Sequence, residues 1–147
     1  MGVKIRITEV RVTPRWEDRL RGYATVTLGG VFVVRGLKII EGKSGRLFVA
    51  MPSRKLHDRC PSCGCKNPLR ARYCNDCGRR LRDNRGDTDL RGRVRLYADI
   101  AHPIHQVGRD QVQSSVVATY LRELEASKQD GYVEPKFEDL DYHYYEG

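Results

Sequence analysis

Gly22-Tyr23-Ala24-Thr25-Val26-Thr27-Leu28-Gly29-Gly30-Val31-Phe32-Val33-Val34 is the stretch that decides the fold. Two runs rich in β-branched and aromatic residues, 22–28 and 31–40, flank Gly29-Gly30, and a glycine pair between such runs predicts a tight two-residue hairpin turn. Working outward, Val3, Ile5, Ile7, Val10 and Val12 nearly alternate with polar residues, so 3–12 reads as a half-buried strand with a bulge where the alternation slips between Ile7 and Val10. A fourth strand is expected from Arg46 to Met51, stopped by Pro52. A fifth is expected over 93–100, which alternates again before His102-Pro103. The period then changes. Val112, Val116, Val117, Tyr120, Leu121 and Leu124 recur at helical spacing, which predicts an amphipathic helix over roughly 107–126. The sum is an α+β domain: a small antiparallel sheet of about five strands covered on one face by a C-terminal helix.

The chain has 147 residues, a size for one ordinary domain with at most a small added module. Lys and Arg number 27 against 19 Asp and Glu, for a net charge of +8. The charge is polarised: 1–53 carries +6, 54–95 carries +8, 96–127 carries −2 and 128–147 carries −4. Such a basic middle next to an acidic end suggests a polyanion site and a tail of opposite sign. Mean hydropathy is −0.60, no apolar run is long enough for a membrane span, and charge alternates with apolar residues from Lys4 onward, unlike a secretory leader. We therefore expect a cytoplasmic protein with no membrane partner, in which close cysteine pairs hold metal rather than form disulfides.

Residues 56–92 interrupt the pattern, with only Leu56, Leu69, Tyr73, Leu81 and Leu90 as large apolar residues. Burial alone cannot hold such a segment together. It does contain Cys60-Pro61-Ser62-Cys63-Gly64 and, with ten residues between Cys63 and Cys74, Cys74-Asn75-Asp76-Cys77-Gly78. Two C-x₂-C turns, each closed by glycine, converge four thiolates on one centre, the ligand set of a structural zinc ion without an open position for catalysis. Cys60, Cys63, Cys74 and Cys77 are thus the candidate Zn²⁺ ligands. Disulfides, an iron centre and unrelated free thiols are the alternatives. Cys65 is odd and reads as a spare thiol, with competition for metal if Cys63 is lost as the other option. The module also resembles the short zinc-ribbon family in its CPxCG, Asn67-Pro68, Ala71-Arg72, Tyr73 and CxxCG elements.

Around these cysteines stand Arg54, Lys55, Arg59, Lys66, Arg70, Arg72, Arg79, Arg80, Arg82 and Arg85. Arginine suits phosphate because its planar fork grips two oxygens, and cations on a metal-stiffened loop lose less entropy on binding than cations on a free tail. Four thiolates on a divalent ion leave −2, too little to neutralise the excess. The ribbon reads as a rigid basic finger whose candidate nucleic-acid contacts are Arg54, Lys55, Arg70, Arg72, Arg79, Arg80 and Arg82. A solvated surface that keeps a polar insertion soluble is the bland reading of the same residues. No recognition-helix spacing and no aromatic stacking set is evident, so binding should be directed mainly at the backbone.

Outside the ribbon, Leu47-Phe48-Val49-Ala50-Met51-Pro52-Ser53-Arg54-Lys55 and Asp99-Ile100-Ala101-His102-Pro103-Ile104, with Ile7 to Val12 and the hairpin 24–34, resemble the SpoVG family of bacterial septation and sporulation regulators. The likeness covers about 3–55 and 96–125. It implies a β-rich sheet with a C-terminal helix, a homodimer built by pairing sheets, and cytoplasmic binding of DNA and RNA; Arg109 is the residue near the helix start that carries over. The chain departs from that family in its 37-residue insertion, in the single basic residue of Gln106 to Asp110, and in an acidic aromatic tail. The expected organisation is a SpoVG-like domain, 1–55 with 93–127, an inserted ribbon, 56–92, and the tail, 128–147.

The tail interleaves Asp130, Glu134, Glu138, Asp139, Asp141 and Glu146 with Tyr132, Phe137, Tyr142, Tyr144 and Tyr145; it reads either as an unstructured solubilising end or as a docking segment that competes with nucleic acid. His102 reads as a polar residue shaping a connection, Trp16 as partly buried or stacked on a base, and Phe48 and Met51 as core. No nucleophile and base are spaced for catalysis, so a non-enzymatic nucleic-acid-binding regulator is expected. The rivals are a protein–protein adaptor that grips a partner through ribbon and tail, and an iron-centred redox protein, which visible colour would betray.

Overall fold

The computed structural model describes residues 4–13 and 18–134. Its elements are β1 (Ile5–Val12), β2 (Leu20–Leu28), β3 (Phe32–Glu41), β4 (Leu47–Ala50), β5 (Ser53–Lys55), β6 (His57–Arg59), β7 (Lys66–Pro68), β8 (Tyr97–Asp99) and α1 (Gln106–Ser127). The architecture is α+β, with an antiparallel sheet in the order β1-β2-β3-β4 and two further two-stranded pairs, β5-β8 and β6-β7.

The hairpin forms as its glycines dictate. Gly29 and Gly30 take φ of 60° and 70°, and Leu28 pairs with Phe32, so the loop holds three residues rather than the expected two. Val31 donates its N–H to the Leu28 carbonyl at 3.2 Å and is itself exposed. The slip in β1 is a register shift between Ile7 and Glu9, which lets Val10 turn inward. Gly22 sits where β2 crowds β1: a Cβ there would stand 2.4 Å from the Arg11 carbonyl oxygen.

Two corrections concern the sheet. It has four strands, not about five. The expected fifth strand shrinks to β8, which pairs with β5 through Ser53↔Asp99 to Lys55↔Tyr97. Pro52 ends β4, and the side chains of β5 are all exposed, so neither strand offers an apolar face for the main sheet to bury. Phe48, expected in the core, faces outward at 41% exposure, because alternation along β4 gives the inward position to Val49. Met51 is half-buried against the core.

That core joins Val10, Ala24, Val26, Leu37, Ile39 and Val49 of the sheet to Val112, Val116 and Tyr120 of α1, with Val117 and Leu124 packed at its edge. The three helix positions are spaced i, i+4, i+8, and α1 lies on β1 and β4. Leu121, counted from the periodicity as apolar stripe, lies at 47% exposure. The helix is capped by His105, in extended backbone conformation, whose Nδ1 accepts the Gly108 N–H at 2.9 Å.

The chain divides into two compact units: residues up to Pro52 together with those from His102 onward, and Ser53–Ala101. β5 and β8, which the sequence reading placed within the SpoVG-like domain, thus group with the cysteine-bearing segment. No helix among the described residues is long and apolar enough to cross a membrane. Trp16 and the tail beyond Glu134 lie outside the described residues; just before that limit, Tyr132 hydrogen-bonds Glu123 through its hydroxyl and Glu134 pairs with Arg11 Nε at 2.9 Å.

Candidate metal centre and arginine cleft

The second unit is built from two copies of one turn. In the first, Gly64 donates its N–H to the Cys60 carbonyl at 2.9 Å, Ser62 N–H points at Cys60 Sγ at 3.4 Å, and Cys60 N–H reaches the Cys65 carbonyl at 2.8 Å. In the second, Gly78 donates to the Cys74 carbonyl at 3.1 Å, Asp76 N–H points at Cys74 Sγ at 3.4 Å, and Cys74 N–H reaches the Arg79 carbonyl at 2.9 Å. Gly64 and Gly78 take φ of 78° and 76°, a conformation that explains glycine at both positions. Cys65 therefore occupies the place that Arg79 fills in the other copy. Its position is a matter of backbone duplication, and its half-buried thiol packs beside Cys60, Cys74 and Leu81 while pointing to the Lys66 carbonyl.

The turns face each other so that the sulfurs of Cys60, Cys63, Cys74 and Cys77 all lie within 4.8 Å of one another. Cys60 Sγ stands 3.7 Å from Cys77 Sγ, and Cys63 Sγ 3.5 Å from Cys74 Sγ. Four thiolates held at about 2.3 Å from one ion at the corners of a tetrahedron stand roughly 3.8 Å apart. The quartet is thus close to the spacing that a single tetrahedral metal ion needs.

Electrostatics prepare half of the set. The Cys77 and Asp76 N–H groups and the Asn67 amide lower Cys74 to about 6, and the Cys63 and Ser62 N–H groups lower Cys60. At Cys63 the Cys65 N–H pulls down, but burial and the neighbouring thiols of Cys74, Cys77 and Cys60 outweigh it and push the group up to about 12. Burial raises Cys65. Cys74 is poised as a thiolate and Cys60 is biased the same way, while Cys63 holds its proton until a cation replaces it.

Asn67 completes the centre and is fully buried. Its Nδ2 donates to the Cys65 carbonyl at 3.1 Å and to Cys74 Sγ at 3.4 Å, and its Oδ1 accepts the Asn75 N–H at 2.8 Å. One side chain therefore ties both turns together and hydrogen-bonds a ligand sulfur. The sequence reading placed Asn67 only within a family pattern; its signal was a lone amide between two cysteine pairs in a segment without a core.

The arginines fall into distinct groups. Arg70, Arg72, Arg80 and Arg82, with Arg85, line an open cleft of about 560 Å³ in this unit, together with Leu69, Ala71, Val94 and Leu96. Arg85 is anchored: its Nε meets Asp58 at 2.7 Å, and its guanidinium donates to the carbonyls of Pro68, Ala71 and Arg82 at 3.0, 3.1 and 2.7 Å. One of the cations grouped around the cysteines in the sequence, it is a structural strut. Arg80 donates to the Arg72 carbonyl, pairs with Asp83 at 3.3 Å and lies over the Tyr73 ring at 5.5 Å. Arg79 hydrogen-bonds Ser62 Oγ across the two turns. Arg54 and Lys55 are exposed on β5, and Arg109 is exposed in the first turn of α1, within the other unit. Among the described residues, the side chains of Arg70, Arg72 and Arg82 have no hydrogen-bond or ion-pair partner.

A four-stranded sheet packed on one C-terminal helix, carrying a separate cysteine-clustered module between its last strand and that helix, defines a small α+β protein with an embedded ribbon. A family model described as SpoVG matches residues 5–122, and the chain belongs to the SpoVG family. It is 35% identical over 122 residues to the provisionally named septation protein SpoVG of Bdellovibrio bacteriovorus, covering 83% of this chain and 79% of the relative. The counterpart in Myxococcus xanthus is 32% identical over 82% of this chain and 84% of its own length. That of Acholeplasma laidlawii is 33% identical over 83% and 92%.

Proposed function

We propose that this chain is a cytoplasmic, non-enzymatic regulator that binds DNA or RNA mainly through phosphates, with a structural Zn²⁺ holding the ribbon that presents its cations. The observation that carries the reading is the cluster of exposed arginines without acidic partners, Arg70, Arg72 and Arg82, on a module whose four thiolates suit zinc. Zinc is favoured by an all-thiolate, closed tetrahedral set in a small polar ribbon. Arg54 and Lys55 extend the cationic surface of the same unit, and Arg109 adds a contact from the helix. Exposed Val31 in the β2–β3 turn, Phe32 and Val33 on β3 and Phe48 on β4 support a homodimer formed through the sheet-bearing unit.

The test is binding of the zinc-loaded protein to DNA, RNA and heparin across a salt series. Tight, salt-steep binding that prefers nucleic acid to heparin is expected. Absence of binding at low salt removes the reading and leaves the ribbon and tail as a protein-docking adaptor.

A further inference from the structure

The arginine cleft differs from a plain cationic patch in having an apolar floor. Leu69, Ala71, Val94 and Leu96 line it and are half-buried, whereas the lining Arg70, Arg72, Arg80 and Arg82 are exposed, which makes the apolar side chains the floor and the guanidinium groups the rim. A duplex offers phosphates to a rim but keeps its base faces stacked inside, so the floor would meet nothing. A single strand offers both, because its bases can be splayed out, laid against apolar side chains and stacked on guanidinium planes. Resting on the nucleic-acid reading above, we propose that this cleft is a single-strand site that takes an unstacked nucleotide, with Arg70, Arg72 and Arg82 on the flanking phosphates and the base on the floor.

The size fits. A cleft of about 560 Å³ exceeds what one phosphate needs and lies within the range of about 300–1,000 Å³ common for ligand pockets. The walls are also set before binding. Arg85 ties the segments bearing Asp58, Pro68 to Ala71, and Arg82 together, and Arg80 is tied to the Arg72 carbonyl, so the backbone that carries the rim does not have to be assembled around the ligand. Charge is supplied in surplus: Asp58 and Asp83 answer Arg85 and Arg80, which leaves the other three guanidinium groups for an incoming anion.

The experiment compares three probes of equal length with the zinc-loaded full chain: a single strand, the same strand with abasic sites at its centre, and the duplex. All three carry phosphates, so the salt slope of the first two should agree. The abasic strand should bind about tenfold more weakly, as should the duplex at matched phosphate number, because each loses the base on the floor. Equal affinity of the intact and abasic strands overturns the single-strand site while leaving phosphate-directed binding in place. Failure of all three to bind at low salt overturns the nucleic-acid reading itself. In a Leu96→Gln variant that retains its zinc, the difference between intact and abasic strands should shrink; an unchanged difference also overturns the assignment of the floor.

Discussion

At the scale of single residues, the ribbon depends on a few polar groups whose partners are all internal. Asn67 satisfies Asn75 N–H, the Cys65 carbonyl and Cys74 Sγ at once, so Asn67→Leu strands a buried N–H and deprives a ligand sulfur of its donor. Leaving such groups unpaired costs about 1–3 kcal/mol. The expected outcome is zinc affinity lowered by roughly tenfold or more, read by competition with a coloured chelator. An Asn67→Leu protein with unchanged affinity would show that the amide is dispensable. The thiols make a second prediction. With Cys74 low at about 6 but Cys63 high at about 12, binding must displace protons from ligands, so affinity rises with pH. Competition measured from about pH 6 to about pH 8 should show a gain of roughly tenfold per pH unit for each proton released. Little of this was legible beforehand. Cysteine spacing named the four ligands as candidates because metal geometry is a local demand, whereas Asn67 and Arg85 act through partners up to 27 positions away, a separation that no spacing pattern records.

Elements follow from simpler rules, and here the sequence reading goes further. The helix expected over 107–126 is Gln106–Ser127, and its buried residues Val112, Val116 and Tyr120 belong to the stripe that defined it. The bulge in β1 falls where alternation slips, and the glycine pair makes the hairpin. What was not legible is pairing. The segment 93–100 alternates like a sheet strand, yet alternation does not say which edge a strand joins, and only β8 forms, against β5. The cap at the helix start was likewise not legible, because the capping group is His105, a residue type with weak capping preference. Its Nδ1 accepts the Gly108 N–H, so His105→Ala should cost about 0.5–2 kcal/mol and lower the melting temperature by several degrees. His105→Asp, which restores an acceptor and places negative charge at the helix N-terminus, should recover most of the loss. A melting temperature unchanged in His105→Ala would mean that solvent satisfies the first turn equally well.

The whole molecule combines two units with different sources of stability. One has an apolar core shared by sheet and helix; the other buries little beyond Cys60, Cys74, Leu81 and Asn67. Removal of metal by a chelator should therefore abolish amide protection across β6, β7 and both cysteine turns, while the four-stranded sheet and α1 keep theirs. Protection that survives chelation in the ribbon would show that it is held by something other than metal. The SpoVG family model spans residues 5–122, and it is the cysteine-bearing unit, between β4 and α1 in sequence, that carries the cationic cleft. The central claim is that a metal-braced ribbon offers its unpaired arginines to nucleic-acid phosphate. Its most direct test is the slope of log affinity against log salt for single-stranded nucleic acid, compared between the zinc-loaded protein and Arg70→Ala/Arg72→Ala/Arg82→Ala with all four cysteines intact. Loss of three phosphate contacts should flatten that slope by about 2 and weaken binding at every salt concentration. An identical slope in the triple variant would contradict the account.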